Sequence, residues 1–159
     1  DGAPDPLDRW STRVVSNLAD QLGGTAIFPF GGPPYAPFQR WAVDSNRAWP
    51  SPVGLLVHER AGLWVSDRGS IALPFDLAAS EERPMPCDTC AEKPCLSACP
   101  VSALTETGYD LAARHSYLDG YGATTCMTSG CQVRAACPAG HDYGRVAAQS
   151  AFHMAQFHK

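Results

Sequence analysis

The residues of this chain with the most distinctive chemistry are its seven cysteines, which all lie between Cys87 and Cys137 in a sequence of 159 residues. They form two runs, and each run ends in a Cys-Pro pair. The first run has four thiols, separated by two, four and three residues, and the second has three, separated by four and five. The thiols are Cys87, Cys90, Cys95, Cys99, Cys126, Cys131 and Cys137. An odd and clustered set of this kind argues against a fully paired disulfide framework.

The spacing of these thiols favours an iron–sulfur cluster. A cubane [4Fe–4S] cluster needs four thiolates that approach four different iron corners, and a C-x2-C pair supplies two neighbouring ones. The proline after each run turns the chain away and has no amide hydrogen. In ferredoxin runs of this type the fourth cysteine binds the other cluster. We therefore expect the two runs to interlock.

Structural zinc and a disulfide scaffold are the alternatives. Structural zinc would require two C-x2-C-like pairs, and only Cys87 and Cys90 have that spacing. Disulfides are disfavoured by the odd count and by the absence of a secretory signal. Iron–sulfur binding is therefore the expectation that we carry forward.

A resemblance to known families supports this expectation. The segment CDTCAEKPCLSACPVSAL resembles the ferredoxin-type iron–sulfur motif in the variant found in electron-transfer subunits of molybdopterin oxidoreductases. Together with HERAGLWVSDRGSIAL, which precedes it, this segment is similar to the C-terminal part of epoxyqueuosine reductases and reductive dehalogenases. The resemblance implies a ferredoxin-like module that holds two [4Fe–4S] clusters.

Carried over residue by residue, the resemblance also implies which thiols bind which cluster. The ligands of cluster one would be Cys87, Cys90, Cys95 and Cys137. The ligands of cluster two would be Cys99, Cys126 and Cys131. Cluster two lacks a fourth thiolate, because the resembling proteins carry a further cysteine on the helix after the first run.

At that helix this chain has Arg114 and His115 instead. His115 is the candidate replacement, since imidazole can ligate a cluster iron, and His141 is a weaker rival. A [3Fe–4S] cluster, a water-ligated iron and the absence of a second cluster are the other possibilities.

Composition and charge exclude several other classes of function. The formal net charge is −4, and the twelve basic residues are scattered, which gives no nucleic-acid footprint and no polybasic membrane patch. No apolar stretch approaches the roughly 20 residues that span a bilayer. The opening residues are polar and do not read as a signal peptide. With free thiols, this pattern predicts a cytoplasmic protein without a membrane span.

The elements that would position the thiols indicate an α+β fold. Pro6 and the helical repeat of apolar residues predict a helix over 6–22 that ends at Gly23. Segments 53–58 and 63–73 are β-rich and predict a hairpin. Short helices are predicted at 95–104, 110–118 and 143–157. We therefore expect a helix and hairpin layer over 1–83, packed on a ferredoxin-like iron–sulfur module over 84–159.

Three functions follow from these observations. The first is an electron carrier or redox subunit with a protein partner and no small-molecule substrate. The second, a corrinoid-linked reductase fragment, is implied only by the resemblance, and no Gly-rich phosphate loop precedes Cys87. The third is a sensor or an enzyme that uses an open iron site on the second cluster. The electron carrier is the function that we expect.

Overall fold

The structure, a computed structural model, describes residues 2–78, 81–120 and 124–158, and it has an α+β fold. The helices of these residues are α1 Pro6–Leu22, α2 Phe38–Asp44, α3 Leu111–Leu118, α4 Thr124–Ser129, α5 Gln132–Ala135 and α6 Ala147–Phe157. The strands are β1 Thr25–Ile27, β2 Ala48–Pro50, β3 Leu56–His58, β4 Ser70–Ala72, β5 Leu104–Thr105 and β6 Gly108–Tyr109. They form two-stranded antiparallel sheets that pair β1 with β4, β2 with β3 and β5 with β6. The predicted α+β class is confirmed.

The chain divides into two compact units that do not follow a single cut in the sequence. One unit consists of Asp1–Ser45 and Ser66–Glu81, and the other consists of Asn46–Val65 and Glu82–Lys159. The predicted boundary between residues 83 and 84 therefore differs from the observed division. The segment Asn46–Val65 belongs with the cysteines because its apolar side chains Val53, Val57 and Leu63 are buried in one core with Cys95 and Cys99.

In the first unit, α1 begins and ends as the sequence predicts. Pro6 occupies the first turn, and Gly23 ends the helix with a φ of 65°, a left-handed conformation that favours glycine. The Arg68 guanidinium donates hydrogen bonds to the Asp8 carboxylate and to Ser11 Oγ. These contacts fasten α1 to the segment that leads into β4.

The predicted hairpin between 53–58 and 63–73 is wrong. Strand β3 pairs with β2, so that Trp49 lies opposite Val57, whereas β4 pairs with β1 in the other unit. Strand β2 was not among the predicted strands, and it contains Pro50, a residue that is disfavoured inside a sheet. Pro50 is nevertheless the last residue of its strand, where a missing amide hydrogen costs little.

Predictions for the cysteine segment are mixed. The helix over 110–118 is present as α3, and the Asp110 carboxylate caps it by accepting a 2.9 Å hydrogen bond from the Ala113 amide. The helix over 143–157 is shorter, as α6, and buries Ser150 and Met154. The prediction of a helix over 95–104 is wrong. The chain there forms one 3-10 turn, Pro94–Leu96, and then β5, because the Cys99-Pro100 pair cannot continue a helix.

Two glycines allow a close approach of backbones beside the last cysteine. A Cβ on Gly62 would lie 2.6 Å from the Gly140 amide nitrogen and 3.0 Å from Cys137 Sγ. A Cβ on Gly140 would lie 2.9 Å from the Ala61 carbonyl oxygen. His58 Nδ1 shapes the first of these turns, since it accepts hydrogen bonds from the amides of Arg60 and Ala61. Only hydrogen at both α-carbons lets the two turns touch.

We therefore predict that Gly62→Ala destabilises the protein by about 1–3 kcal/mol more than Gly54→Ala. Both glycines have positive φ, 52° and 73°, so both substitutions strain the backbone, but a Cβ on Gly54 meets nothing within 4 Å. The measurement is urea unfolding followed by circular dichroism. Equal losses in the two variants would show that the contact with Gly140 does not constrain the fold.

Candidate metal centre

A cavity of about 380 Å³ in the second unit is lined by four cysteines. These four are Cys87, Cys90, Cys95 and Cys137. The rest of the wall is mainly apolar and includes Val57, Leu63 and Ala139. The cavity therefore collects three thiols from the first cysteine run and the last thiol of the second run, the set that the resemblance assigns to one cluster.

Three of these thiols lie beside a proline that begins a 3-10 turn. The 3-10 turns Pro86–Asp88, Pro94–Leu96 and Pro138–Tyr143 each begin with proline directly beside a cysteine. Proline favours the first position of a helical turn, because its φ is already set and no amide hydrogen is lost there. Each turn thus begins at a point that the sequence itself specifies.

The thiols of the cavity are close enough to affect one another's ionisation. Burial raises the pKa of the Cys87 thiol, and negative charge on Cys137, Cys95 and Cys90 raises it further. Burial also raises the pKa of Cys95, with Cys137 and Cys90 adding to the effect. Four like charges in one cavity repel each other, so the thiolate state needs a bound cation or cationic core.

One wall of the same cavity carries a hydroxyl that lacks a protein partner. Ser51 is 8% exposed and lines the cavity, and its Oγ is the buried side-chain polar atom without a hydrogen bond among the residues that the structure describes. A buried hydroxyl without a partner costs about 1–3 kcal/mol. Sequence reasoning missed Ser51, because nothing in a lone serine between two prolines indicates burial.

The three remaining thiols form a second group, in which Cys126 and Cys131 lie beside Arg114. Cys126 is fully buried, and its Sγ lies 3.6 Å from Arg114 Nη1 and 3.6 Å from Gln132 Nε2. Burial acts to lower the pKa of Arg114, but the negative charge of Cys131 and the hydrogen bond to Cys126 outweigh it, and the pKa is raised. This thiol group therefore contains a buried cation.

Cys99 and Cys131 join this group through Tyr109. Burial raises the pKa of the Tyr109 hydroxyl, Arg114 lowers it, and negative charge on Cys131 and Cys99 raises it again. The Cys99 sulfur accepts a 3.2 Å hydrogen bond from the Ala103 amide. Amide hydrogen bonds of this kind stabilise negative charge on sulfur.

His115, the predicted replacement ligand, lies against other rings. Its Nδ1 is 2.9 Å from Nδ1 of His158, and its ring stacks on Phe157 at 4.8 Å. His141 is an exposed residue of the turn after Cys137. Arg114, on the same helix, donates a hydrogen bond to the Cys126 thiol, and Leu118 packs in one core cluster with Cys126. The sequence analysis named Arg114 only as the neighbour of His115.

The helical period bears on whether the burial of Arg114 could be predicted from the sequence. Arg114 and Leu118 are four residues apart on α3, so they share a face, and both are buried. His115 and Leu118 are three residues apart, a spacing that also places two side chains on one face. Leu118 alone therefore does not tell from the sequence which of Arg114 and His115 is turned inward.

All seven cysteines are free thiols. Among the described residues, no three His, Cys, Asp or Glu side chains lie where a single metal ion could bind all three. An arrangement for one ion such as zinc, which takes Zn–S distances of about 2.3 Å, would require that convergence. Thiols that each bind a different atom of a larger group do not have to converge on one point.

Comparison of the chain with protein-family models, with curated proteins and with solved structures found no match. Within the described residues, no helix has the length and apolarity needed to cross a membrane. The thiols, the cavity and the charges around them are the features of this chain that bear on its function.

The mutual charge effect in the cavity predicts a change in thiol reactivity. The thiolate is the reactive form, and the Cys137 thiolate raises the pKa of Cys87. Cys137→Ser removes that charge, so the pKa of Cys87 falls and its thiolate fraction at pH 8 rises. We expect faster alkylation of Cys87 in the metal-free variant, measured by mass spectrometry of iodoacetamide-treated peptides. Cys126→Ser, which changes the second thiol group, is the control and should leave the Cys87 rate unchanged.

Proposed function

We propose that this chain is an iron–sulfur electron-transfer protein with a ferredoxin-like cluster-binding module. The observation that carries the proposal is the cavity whose wall contains Cys87, Cys90, Cys95 and the distant Cys137. A [4Fe–4S] cluster bound there would supply one-electron redox chemistry. The protein supplies the four thiolates, the apolar surroundings and the hydrogen bonds that tune the cluster.

The size of the cavity supports a cluster in preference to a single ion. Its volume of about 380 Å³ is roughly that of thirteen water molecules at ~30 Å³ each, and the core of a cubane has eight atoms. Each thiolate of a cubane binds a different iron. The four thiols that line the cavity are the number that a cubane requires.

Ser51 supports the same proposal. Its hydroxyl is buried in the wall of the cavity without a protein acceptor, and sulfur atoms of a cluster or its thiolates accept hydrogen bonds. With such an acceptor present, the buried hydroxyl no longer bears the cost of an unsatisfied donor. The polar group that the protein leaves without a partner thus matches the chemistry of the proposed cofactor.

A second cluster is proposed at Cys99, Cys126 and Cys131. These thiols are buried or half-buried. Cys126 and Cys131 lie beside Arg114, and Cys131 and Cys99 lie near Tyr109. His115 makes its described contacts with His158 and Phe157, which favours a fourth position without a histidine ligand. The second cluster would then be a [3Fe–4S] cluster or a [4Fe–4S] cluster with a water-ligated iron.

The charge of the chain supports a protein partner. The chain carries −4 before any cluster binds, and with two clusters it would carry roughly −7. A charge of this size favours electrostatic docking to a basic redox protein. We propose electron transfer to such a partner in the cytoplasm, where thiol ligands stay reduced, and we propose no reaction on a small-molecule substrate.

The test is iron and acid-labile sulfide per chain after anaerobic purification, with EPR of the reduced protein. We expect about eight irons, or about seven if the second cluster is [3Fe–4S], and about eight sulfides in either case. Cys137→Ala should remove about four irons, because it deletes one of the four thiolates of the cavity. One zinc ion per chain with no sulfide would refute the proposal, and full iron content in Cys137→Ala would refute the ligand assignment.

Ser51 provides a prediction on the potential of the cavity cluster. Ser51→Ala should leave the iron content unchanged and make that reduction potential more negative, because a hydrogen bond to sulfur stabilises the reduced state. The measurement is protein-film voltammetry.

The matched control for Ser51 is Thr89→Val. Thr89 lines the same cavity, but its hydroxyl already donates a hydrogen bond to the Pro86 carbonyl, so the potential should stay at the wild-type value. Identical potentials in Ser51→Ala and the wild type would show that the hydroxyl does not face the cluster.

A further inference from the structure

Arg114 is a buried cation whose described partner is a thiol. It is 2% exposed, and its Nη1 lies 3.6 Å from Cys126 Sγ. Arginine does not lose its proton in proteins, so burial leaves a full positive charge in the interior. A buried charge requires an opposite charge beside it, since burial without one costs several kcal/mol.

Carboxylates do not supply that opposite charge. The ion pairs that the described residues of this unit form with carboxylates involve Arg47 and Arg83 on Glu59, and His158 on Asp119. Arg114 belongs to none of them within the part of the chain that the structure describes. The neighbouring groups able to carry negative charge are the sulfurs of Cys126 and Cys131, together with the Tyr109 hydroxyl.

The charge of Arg114 gives the two thiol groups different net charges. The cavity has four thiolates, which with an oxidised cubane core of +2 give a net charge of about −2. The second group has three thiolates, which give about −1 with the same core, and Arg114 brings the local total to about zero. The net charge near a cluster is one of the factors that set its reduction potential, and a less negative site accepts an electron more readily.

We infer that Arg114 balances the charge of the cluster at Cys99, Cys126 and Cys131 and gives that cluster the higher reduction potential of the two. This inference rests on the proposed iron–sulfur function. It assigns Arg114 the role of a positioning and charge-balancing residue, not that of an iron ligand. The three-thiolate site is then the better electron acceptor of the pair.

The experiment is a redox titration of the holoprotein monitored by EPR, with a series of substitutions that changes charge stepwise at position 114. Arg114→Lys keeps the positive charge and should keep both potentials near the wild type. Arg114→Met removes the charge and should make the higher of the two reduction potentials more negative. The expected shift is at least about 59 mV, which is a tenfold change in the reduction equilibrium for one electron. Arg114→Cys adds a thiolate and should shift the same potential further, while the lower potential stays in place in every variant.

Exposed Arg60 provides a matched control for loss of one positive charge. Arg60→Met should leave both potentials unchanged, because solvent and salt screen a surface charge. If Arg114→Met fails to retain iron, the comparison of Arg114→Lys with Arg114→Cys still decides the question. Equal potentials in the charged and uncharged variants would overturn the inference.

The iron content distinguishes the two ways in which the inference could fail. About seven or eight irons with two potentials, of which only the higher responds to position 114, would support it. About four irons with one potential in the wild type would overturn the inference and leave the cavity cluster standing. A protein without iron and sulfide would overturn the proposed function and the inference together.

Discussion

The contact between the turn at Gly62 and the turn at Gly140 is the constraint on which the four-thiol cavity depends. A Cβ at Gly62 would meet the backbone of Gly140 and the sulfur of Cys137, so the two turns touch only through glycine. Beside this contact, Arg134 donates a hydrogen bond to the Leu63 carbonyl. Glu59 accepts hydrogen bonds from Arg47 and Arg83, which ties the β2–β3 sheet to the segment before Cys87. Segments far apart in sequence thereby form the walls of one cavity.

Charge distinguishes the two groups of thiols that this packing creates. In the cavity the thiols face one another and apolar side chains, so burial and mutual repulsion raise the pKa of Cys87 and Cys95. In the second group the buried guanidinium of Arg114 offsets the negative charge of the sulfurs. The cysteine thiols of the two groups therefore have different electrostatic environments within one unit of the fold. That difference is the physical basis for expecting two cofactor sites with different affinities for an electron.

Local features of the fold were predictable, whereas strand partners were not. The helices α1 and α3 follow from apolar period, capping residues and glycine stops, which act within a few residues. The pairing of β3 with β2 was missed, because three-residue strands carry almost no alternation and the prolines near β2 argued against a strand. Burial of Val57 and Leu63 in the cysteine core decided that pairing, and this burial depends on side chains from remote segments.

The sequence by itself determined which residue types carry the chemistry and one point where the chain turns beside them. Cysteine spacing and the adjacent prolines act locally, so the turn that follows Cys137 could be expected, whereas the turn Pro94–Leu96 lies where a helix was predicted. Only the tertiary structure decided that Arg114 lies beside the Cys126 thiol while the His115 ring stacks on Phe157, and that Ser51 is part of the cavity wall. These outcomes depend on the rotation of a helix and on contacts between distant segments. Neither is encoded in the spacing of neighbouring residues.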